Sequence, residues 1–293
     1  MWKIAEVLRR RGGPQPLSRS PMKNPSSPAK KKLVLIGGLG TIGRILEKEF
    51  SGSYELTVLD ISKPPGQNRR NFVKADVAKI NQLMAEIPDD AYALVNLSAL
   101  PNSTQPSLPD AKTLRLYSDV YIVGAYNILL VAAKKRIRKV VFASTNHVTG
   151  AYEVGGKSTL GREIRVDDYP LPDSAYGAMK LCGELFGYLF SRETNLSVIC
   201  LRIGSVLEDE LPVLRSNERV KRTIMSKADT IEIFRKAIET EINYGVYYGV
   251  SDNDGKPWDI SNTIDDLGFY SKINSQALLE KAKKENQESA FTK

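Results

Sequence analysis

The sequence predicts an α/β fold in which a doubly wound parallel sheet is covered by helices on both faces. From Leu33 onward, short apolar runs alternate with segments of helical period. Such alternation is typical of buried strands joined by crossover helices. A glycine-rich segment follows the first apolar run, at the edge where sheets of this kind bind ligands. Apolar residues make up 42% of the 293-residue chain, which is enough for a sizeable core.

The elements follow in chain order, and each is predicted from its period and length. After Gly204 the pattern loosens, and a helix near 228–240 with a short strand at 245–250 predicts a small cap on the carboxyl edge of the sheet. Before that point, the predicted strands are 33–36, 56–59, 93–97, 140–143 and 198–203, and the predicted helices are 41–50, 114–135 and 175–192.

The net charge of +8 is confined to the beginning of the chain. Residues 1–32 carry nine basic side chains and one acidic side chain, whereas the other 261 residues are balanced. The body therefore lacks the basic surface that phosphate backbones demand, and we predict no nucleic-acid partner. Five of the fifteen prolines lie in the first thirty residues, which predicts a disordered basic tail over residues 1–30. An Arg-rich transit peptide and a start at Met22 remain open as alternatives.

Cysteine and histidine content narrows the class of protein. Two cysteines and one histidine cannot form a disulfide framework or a structural zinc cluster, so no metal site is predicted. No run of 18 apolar residues occurs, which predicts that the chain does not span a membrane. We therefore expect a cytoplasmic protein.

A phosphate-binding loop is predicted where the first strand meets the first helix. The motif Gly37-x-x-Gly40-x-x-Gly43 lets the backbone turn tightly and approach a pyrophosphate. Thr41 and Ile42 lie at the start of the helix, whose unpaired N–H groups and partial positive charge attract the anion. The motif follows a strand and opens a helix, as its mechanism requires, and it predicts a bound dinucleotide.

An acidic residue predicts which dinucleotide is bound. Asp60 ends the second strand, 17 residues after Gly43. A carboxylate at this point accepts hydrogen bonds from the ribose hydroxyls and repels a 2′-phosphate, which favours NAD over NADP. Lys63 and Arg69 follow in the sequence and could soften that preference.

Tyr176 and Lys180 are predicted to form a catalytic pair. They are four residues apart, so a helix presents both on one face. Oxidation of an alcohol needs a base that takes the hydroxyl proton as hydride leaves. An ammonium at about 4 Å would lower the pKa of the phenol by roughly three units, to near 7, with burial acting in the opposite direction. A phenol with that pKa is suited to general base catalysis.

Together these motifs resemble the extended short-chain dehydrogenase/reductase family over about residues 32–270. The resemblance implies a Rossmann-type fold and a hydroxyl at Thr145 that holds the reacting oxygen beside the catalytic pair. It implies dimerisation through the helices near 114–135 and 175–192. Two positions depart from the family pattern: Ile36 replaces the usual Thr, and Tyr121 replaces an Asn that helps to position a proton path. The further residues that the resemblance implies at the dinucleotide are Asp76, Val77, Leu97, Ser98, Ala99, Tyr176, Lys180 and Ile203.

Two segments, 142–152 and 248–255, resemble hexuronate dehydrogenases and archaeal-type NAD-dependent glucose-6-phosphate dehydrogenases. Both groups oxidise C1 of a cyclic aldose to a lactone. The resemblance implies that Asn146, His147 and Ser205 contact the sugar and that Arg219 binds the anion at C6, for which a guanidinium is well suited. The alternatives are a hydrogen-bonded loop role for the histidine and a solvated basic loop around the arginine.

The predicted protein is thus an NAD-dependent dehydrogenase for C1 of an aldose with an anionic C6 group. We expect an NAD-binding domain over residues 31–204, an interleaved substrate-binding cap over 205–275 and a C-terminal tail over 276–293. A nucleotide-sugar epimerase or dehydratase is the alternative. About sixty residues between Ser205 and the tail form a short cap, which favours a small sugar. A cofactor-binding protein without catalysis is disfavoured because the Tyr/Lys pair is present.

Overall fold

The structure, a computed structural model, describes residues 29–62, 71–101, 104 and 106–291, with side chains described up to residue 284. Residues 1–28 of the predicted disordered tail lie outside the described residues. Lys63 and Arg69 also lie outside them. Residues from Lys31 onward form one compact unit.

One large sheet and one small hairpin account for the strands of the described residues. In chain order these strands are β1 (Lys31–Ile36), β2 (Tyr54–Asp60), β3 (Phe72–Lys74), β4 (Ala93–Asn96), β5 (Lys139–Thr145), β6 (Glu153–Val154), β7 (Lys157–Ser158), β8 (Ser197–Ile203) and β9 (Tyr244–Gly249).

Helices connect the strands and cover the sheet. They are α1 (Thr41–Phe50), α2 (Ile80–Glu86), α3 (Ala111–Ser118), α4 (Ala125–Lys134), α5 (Ala175–Glu193), α6 (Glu210–Ser216), α7 (Glu218–Thr223), α8 (Lys227–Glu239), α9 (Ser261–Leu267) and α10 (Ser275–Phe291), with a π-helical turn at Asp119–Gly124 and a 3₁₀ segment at Asn146–Tyr152.

The seven-stranded sheet has the order β3-β2-β1-β4-β5-β8-β9, and all its strand pairs are parallel. The predicted doubly wound α/β fold is therefore confirmed. Winding reverses between β1 and β4, which opens a crevice at their carboxyl ends. Side chains alternate across each strand. Leu33 and Leu35 of β1 belong to the core beneath α1 and α8, whereas Val34 and Ile36 belong to the core beneath α2, α4 and α5.

Two segments of the predicted cap lie with the main sheet in the structure. Strand β9 pairs with β8 as the last strand of the main sheet, and α8 packs Ile233 and Phe234 into the main core. Period and length cannot distinguish a strand in a cap from one added to the edge of the sheet. The segments beyond the carboxyl ends of the strands are the 3₁₀ segment, the β6–β7 hairpin, α6 and α7.

The predicted C-terminal tail is a helix in the structure. Leu278 and Leu279 of α10 pack against Leu214 of α6 and Val220 of α7. This helix therefore supports the segments that cover the carboxyl edge of the sheet.

The helical stretch Ala111–Lys134 contains the π-helical turn between α3 and α4. Tyr121 lies in that turn. Its ring points into the fold, because the residue is only 1% exposed. Among the described residues this stretch alone is long and apolar enough to cross a membrane by length and composition. Half of its apolar window is buried against the rest of the protein, as in the core helix of an α/β fold, so it is weak support for a membrane span.

Candidate active site

The glycine loop joins β1 to α1 at the crevice. Gly37 adopts a φ of +74°, and a Cβ there would lie 2.8 Å from the backbone of Leu97 and Ser98. A Cβ on Gly43 would lie 2.2 Å from the carbonyl oxygen of Gly38. Only glycine therefore fits these two positions, and the loop packs directly onto the end of β4. Helix α1 starts without a side-chain cap, so its first N–H groups are available to a phosphate.

The residues along the crevice fit a dinucleotide. The Asp60 carboxylate accepts hydrogen bonds from the backbone N–H groups of Leu39 at 3.1 Å and Ser62 at 3.2 Å, which fixes it at the end of β2. Each of its oxygens retains a lone pair that can accept from a ribose hydroxyl. Ser98 Oγ is buried and has no hydrogen-bond partner among the described residues. A buried hydroxyl without a partner is costly, and a polar group of the cofactor would satisfy it.

Two adjoining cavities contain every site residue that the sequence predicts. They share Gly37 and Leu97 in their walls, so they meet at the glycine loop. The first cavity, of about 410 Å³, is lined by Gly37, Gly40, Asp60, Asp76, Val77, Leu97, Ser98 and Ala99. The second, of about 320 Å³, is lined by Gly37, Gly40, Thr41, Ile42, Gly43, Leu97, Ala99, Thr145, Asn146, His147, Tyr176, Lys180, Ile203, Ser205 and Arg219.

The proposed catalytic side chains lie at the junction of β5 and α5. Ser174 caps α5 by accepting from Gly177 N–H, which fixes Tyr176 in the first turn. Thr145, the last residue of β5, is hydrogen-bonded to Tyr176 through its side chain. Two hydroxyl groups from different elements therefore meet in one cavity, where they can hold one oxygen of a substrate.

Lys180 lies one turn further along α5 and is 2% exposed. Its Nζ donates to the carbonyl oxygens of Ala143 at 2.8 Å and Ser98 at 3.2 Å. It lies 6.0 Å from the centroid of the Tyr176 ring and 5.2 Å from that of Tyr121. The amine thus connects the ends of β4 and β5 beneath the phenol.

The predicted pKa of Tyr176 near 7 is not what the structure gives. Burial raises the pKa of Tyr176 above its usual value, and the neighbouring Tyr121 raises it further, although the hydrogen bond with Thr145 lowers it. Burial also lowers the pKa of Lys180 from 10.5 to about 7. Desolvation disfavours the charged form of each group, and here it outweighs their attraction. Near neutral pH the phenol is therefore protonated and uncharged, whereas the amine of Lys180 is close to half protonated.

Tyr121 takes the place of the Asn that the family pattern has. Its hydroxyl accepts a hydrogen bond from Leu100 N–H at 2.7 Å, and its ring lies edge-on to Tyr176, with 5.1 Å between the centroids. This aromatic packing holds the proposed base and removes water from one side of it.

His147 is paired with a carboxylate that the sequence analysis missed. Its Nδ1 lies 2.8 Å and 3.0 Å from the two carboxylate oxygens of Asp173, which also accepts from Ser174 Oγ at 2.9 Å. Burial raises the pKa of Asp173, but its interactions with His147 and its hydrogen bonds with Ser174 and its own backbone together outweigh burial, so this pKa lies below its usual value. Because Nδ1 is engaged, Nε2 is the ring nitrogen that can contact a ligand in the cavity.

Arg219 is also paired within the chain. Its Nε and Nη2 contact the carboxylate of Glu153 in β6, and the shortest of these distances is 2.6 Å. The Glu153 side chain is 6% exposed, whereas that of Arg219 is 35% exposed. Among the described residues this pair uses one edge of the guanidinium and leaves Nη1 for another partner.

A buried ion pair supports the ends of the central strands. Glu184, one turn after Lys180, contacts Arg202 of β8 at 2.9 Å and accepts from Ser144 Oγ at 2.5 Å. Both charged side chains are at most 4% exposed. The pair joins α5, β5 and β8 directly behind Thr145, so it positions the proposed site.

Sequence reasoning missed Asp173 and Glu153 for different reasons. Asp173 lies three residues before Tyr176 and directly before the residue that caps α5. This position could have indicated from sequence that its carboxylate lies near the catalytic pair. Glu153 lies 66 residues from Arg219 and belongs to a two-residue strand, so nothing in the sequence connects the two.

The comparisons agree with this geometry. A model of the NAD-dependent epimerase/dehydratase family matches residues 33–250. The Bacillus subtilis protein YtbQ is 44% identical over 249 residues, which cover 85% of this chain and 97% of that protein. The NAD-dependent glucose-6-phosphate dehydrogenase of Haloferax volcanii is 27% identical over 255 residues, which cover 83% of this chain and 94% of that protein.

A solved structure shows the same fold. Uronate dehydrogenase from Agrobacterium tumefaciens has a TM-score of 0.71 and 24% identity, and the match covers 87% of this chain and 89% of that one. The glycine loop, Asp60 and the family match all point to the same cofactor. The chain therefore belongs to the NAD-dependent epimerase/dehydratase family, and NAD is its cofactor.

Proposed function

We propose that this protein is a sugar dehydrogenase that oxidises C1 of an aldose with an anionic C6 group, such as glucose 6-phosphate or a hexuronate, to the lactone. The observation that carries the proposal is one cavity whose wall contains Thr145, Tyr176, His147 and Arg219 and which opens onto the dinucleotide crevice. Its wall also includes the glycine loop, so the dinucleotide would take part of its volume of about 320 Å³, and the remainder suits a single sugar ring better than a nucleotide sugar.

In the proposed reaction the protein holds the C1 hydroxyl and removes its proton. Thr145 and Tyr176 hydrogen-bond the C1 oxygen, and Tyr176 Oη, acting as the phenolate, takes the proton and becomes the neutral phenol. Lys180 stabilises the phenolate when its amine is protonated, and its pKa of about 7 lets it gain or lose a proton at little cost near neutral pH. NAD, when bound, accepts the hydride from C1. Asn146, His147 and Ser205 would hold the other sugar hydroxyls.

The test is the formation of NADH, followed by absorbance, with galacturonate, glucuronate, glucose 6-phosphate and glucose. Net NADH with one of these sugars supports the proposal. Interconversion of nucleotide sugars without net NADH would instead identify an epimerase, because such enzymes recycle the cofactor. Tyr176→Phe should lower kcat by about 10²-fold or more, as expected for loss of a general base. Normal turnover by that variant would remove Tyr176 from the chemistry.

We also propose that the protein works in the cytoplasm as a homodimer formed through α4 and α5. Exposed apolar side chains on these helices support this arrangement. Tyr126 of α4 is 43% exposed, and Leu185, Tyr188 and Leu189 of α5 are 44–55% exposed. An apolar face of this kind on a monomer would be left in water.

A further inference from the structure

We propose that Glu153 is a specificity-determining residue: by holding Arg219 in an ion pair, it limits the affinity of the sugar site for anions. This inference rests on the proposed function of the cavity and concerns the end of the sugar remote from C1. Its basis is that Arg219, the one arginine among the described residues of the cavity wall, is paired with a carboxylate of the same chain.

The position of Glu153 beside Arg219 is fixed by its own surroundings. Its Oε1 accepts from Gly156 N–H at 2.5 Å, which fixes the carboxylate within the β6–β7 turn. That turn packs against α7 so closely that a Cβ on Gly156 would lie 3.1 Å from the Cα of Arg219. With 6% of its side chain exposed, Glu153 cannot turn away into solvent. Glu153 therefore fixes the orientation of the guanidinium through Nε and Nη2. Nη1 and the second N–H of Nη2 can then bind an anion in the cavity.

Charge balance in the cavity follows from this pairing. Arg219 is paired with Glu153, and the imidazole of His147 is paired with Asp173, so each of these side chains has a carboxylate of the chain beside it. A sugar carboxylate or phosphate on Arg219 would gain a charge-assisted hydrogen bond. It would also lie within a few ångströms of the Glu153 charge, and that repulsion is strong in a partly buried site. The uncharged C6 hydroxyl of a neutral aldose meets no such repulsion. Glu153 should therefore weaken the binding of anionic aldoses and leave the binding of neutral aldoses almost unchanged.

The decisive variant is Glu153→Gln, which keeps the hydrogen-bond acceptor and removes the charge. We expect the KM for glucuronate and glucose 6-phosphate to fall about tenfold, while that for glucose changes by less than about twofold. Glu218→Gln is the matched control, because it removes a carboxylate next to Arg219 in sequence that pairs with Lys221 in an exposed salt bridge. In an Arg219→Leu background no guanidinium holds the anion near Glu153, so Glu153→Gln should lower the KM for the anionic sugars by less than it does in the wild type.

Several results would overturn the proposal. These are an unchanged ratio of anionic to neutral KM values, a common rise in all of them, or a fall in the anionic KM values that is as large in the Arg219→Leu background as in the wild type. If Glu153→Gln fails to fold, Glu153→Ala gives the same comparison, because solvent can enter beside the partly exposed Arg219.

Inorganic phosphate separates this proposal from the proposed function. A thermal-shift titration of the NAD-loaded protein reads anion binding without turnover. Glu153→Gln should show a larger shift with phosphate than the wild type, and this difference should be smaller in the Arg219→Leu background. If no aldose gives NADH, the proposed function fails while the phosphate titration still decides the role of Glu153. An equal shift in both proteins sinks the inference even if an aldose is oxidised.

Discussion

Lys180→Met should make the cofactor-free protein more stable and should change how its stability depends on pH. Burial lowers the pKa of Lys180 from 10.5 to about 7. Between pH 7 and pH 10.5, Lys180 is mostly protonated in the unfolded chain and mostly neutral in the folded protein. The free energy of unfolding of the wild type therefore rises with pH, by up to about 1.4 kcal/mol per unit. Methionine binds no proton in either state. The difference between the free energies of unfolding of the wild type and the variant should therefore change by about 2.5 kcal/mol in favour of the wild type from pH 7.5 to 9.5.

At pH 7.5 burial of the lysine costs the wild type roughly 4 kcal/mol. The variant escapes this cost and loses the hydrogen bonds from Nζ to Ser98 and Ala143, worth about 1 kcal/mol each. We therefore expect Lys180→Met to be more stable by about 2 kcal/mol at pH 7.5, with the advantage disappearing toward pH 9.5.

The assay is equilibrium urea denaturation without added NAD at three pH values from 7.5 to 9.5. Lys139, whose pKa burial lowers to about 8, titrates in both proteins and cancels in the difference. Lys48→Met, at an exposed position of α1, is the control and should run parallel to the wild type. Parallel pH curves for the wild type and Lys180→Met would refute the claim that Lys180 is uncharged in the folded protein above pH 7.

Three further predictions test other parts of the site and its surroundings. Asp60→Ala should narrow the preference for NAD over NADP by about tenfold or more, because a charge that repels a 2′-phosphate is removed; unchanged kcat/KM ratios for the two cofactors would contradict the role of Asp60. Asp173→Asn should lower kcat/KM for the sugar about tenfold, because it weakens a charge-assisted hydrogen bond to His147, and should leave the Kd of NAD unchanged. A parallel loss of NAD affinity would mean that the variant disturbs α5 instead. Leu185→Glu combined with Leu189→Glu should give a monomer in light scattering after size exclusion, and a persistent dimer would place the interface elsewhere.

The central sheet could be predicted from sequence because its signals are local. Fully buried strands such as β5 and β8 appear as continuous apolar runs, and the glycine loop has a fixed spacing between a strand and a helix. Strand β3 has three residues and α2 has seven, which is too short for a period to be recognised. The placement of β9 beside β8 depends on pairing across the sheet, which no local pattern encodes.

The charge state of the site could not be predicted in the same way. The spacing of Tyr176 and Lys180 shows that they share a helix face, and a favourable distance then suggests an acidic phenol. It does not show that Tyr121 and the carbonyl oxygens of Ser98 and Ala143 enclose the amine. Desolvation depends on every neighbour at once, so it follows only from the folded structure.

Burial of Lys180 both destabilises the folded protein and gives the amine the pKa that its proposed role needs. An exposed lysine stays protonated far above neutral pH and transfers its proton only at a large cost in free energy. In this site the amine has a pKa of about 7, so it can be protonated or neutral at similar free energy where the enzyme works. That property requires removal from water, and removal from water destabilises the fold. The methionine variant should therefore be the more stable protein and the less active one, which is the trade-off expected of a residue retained for chemistry.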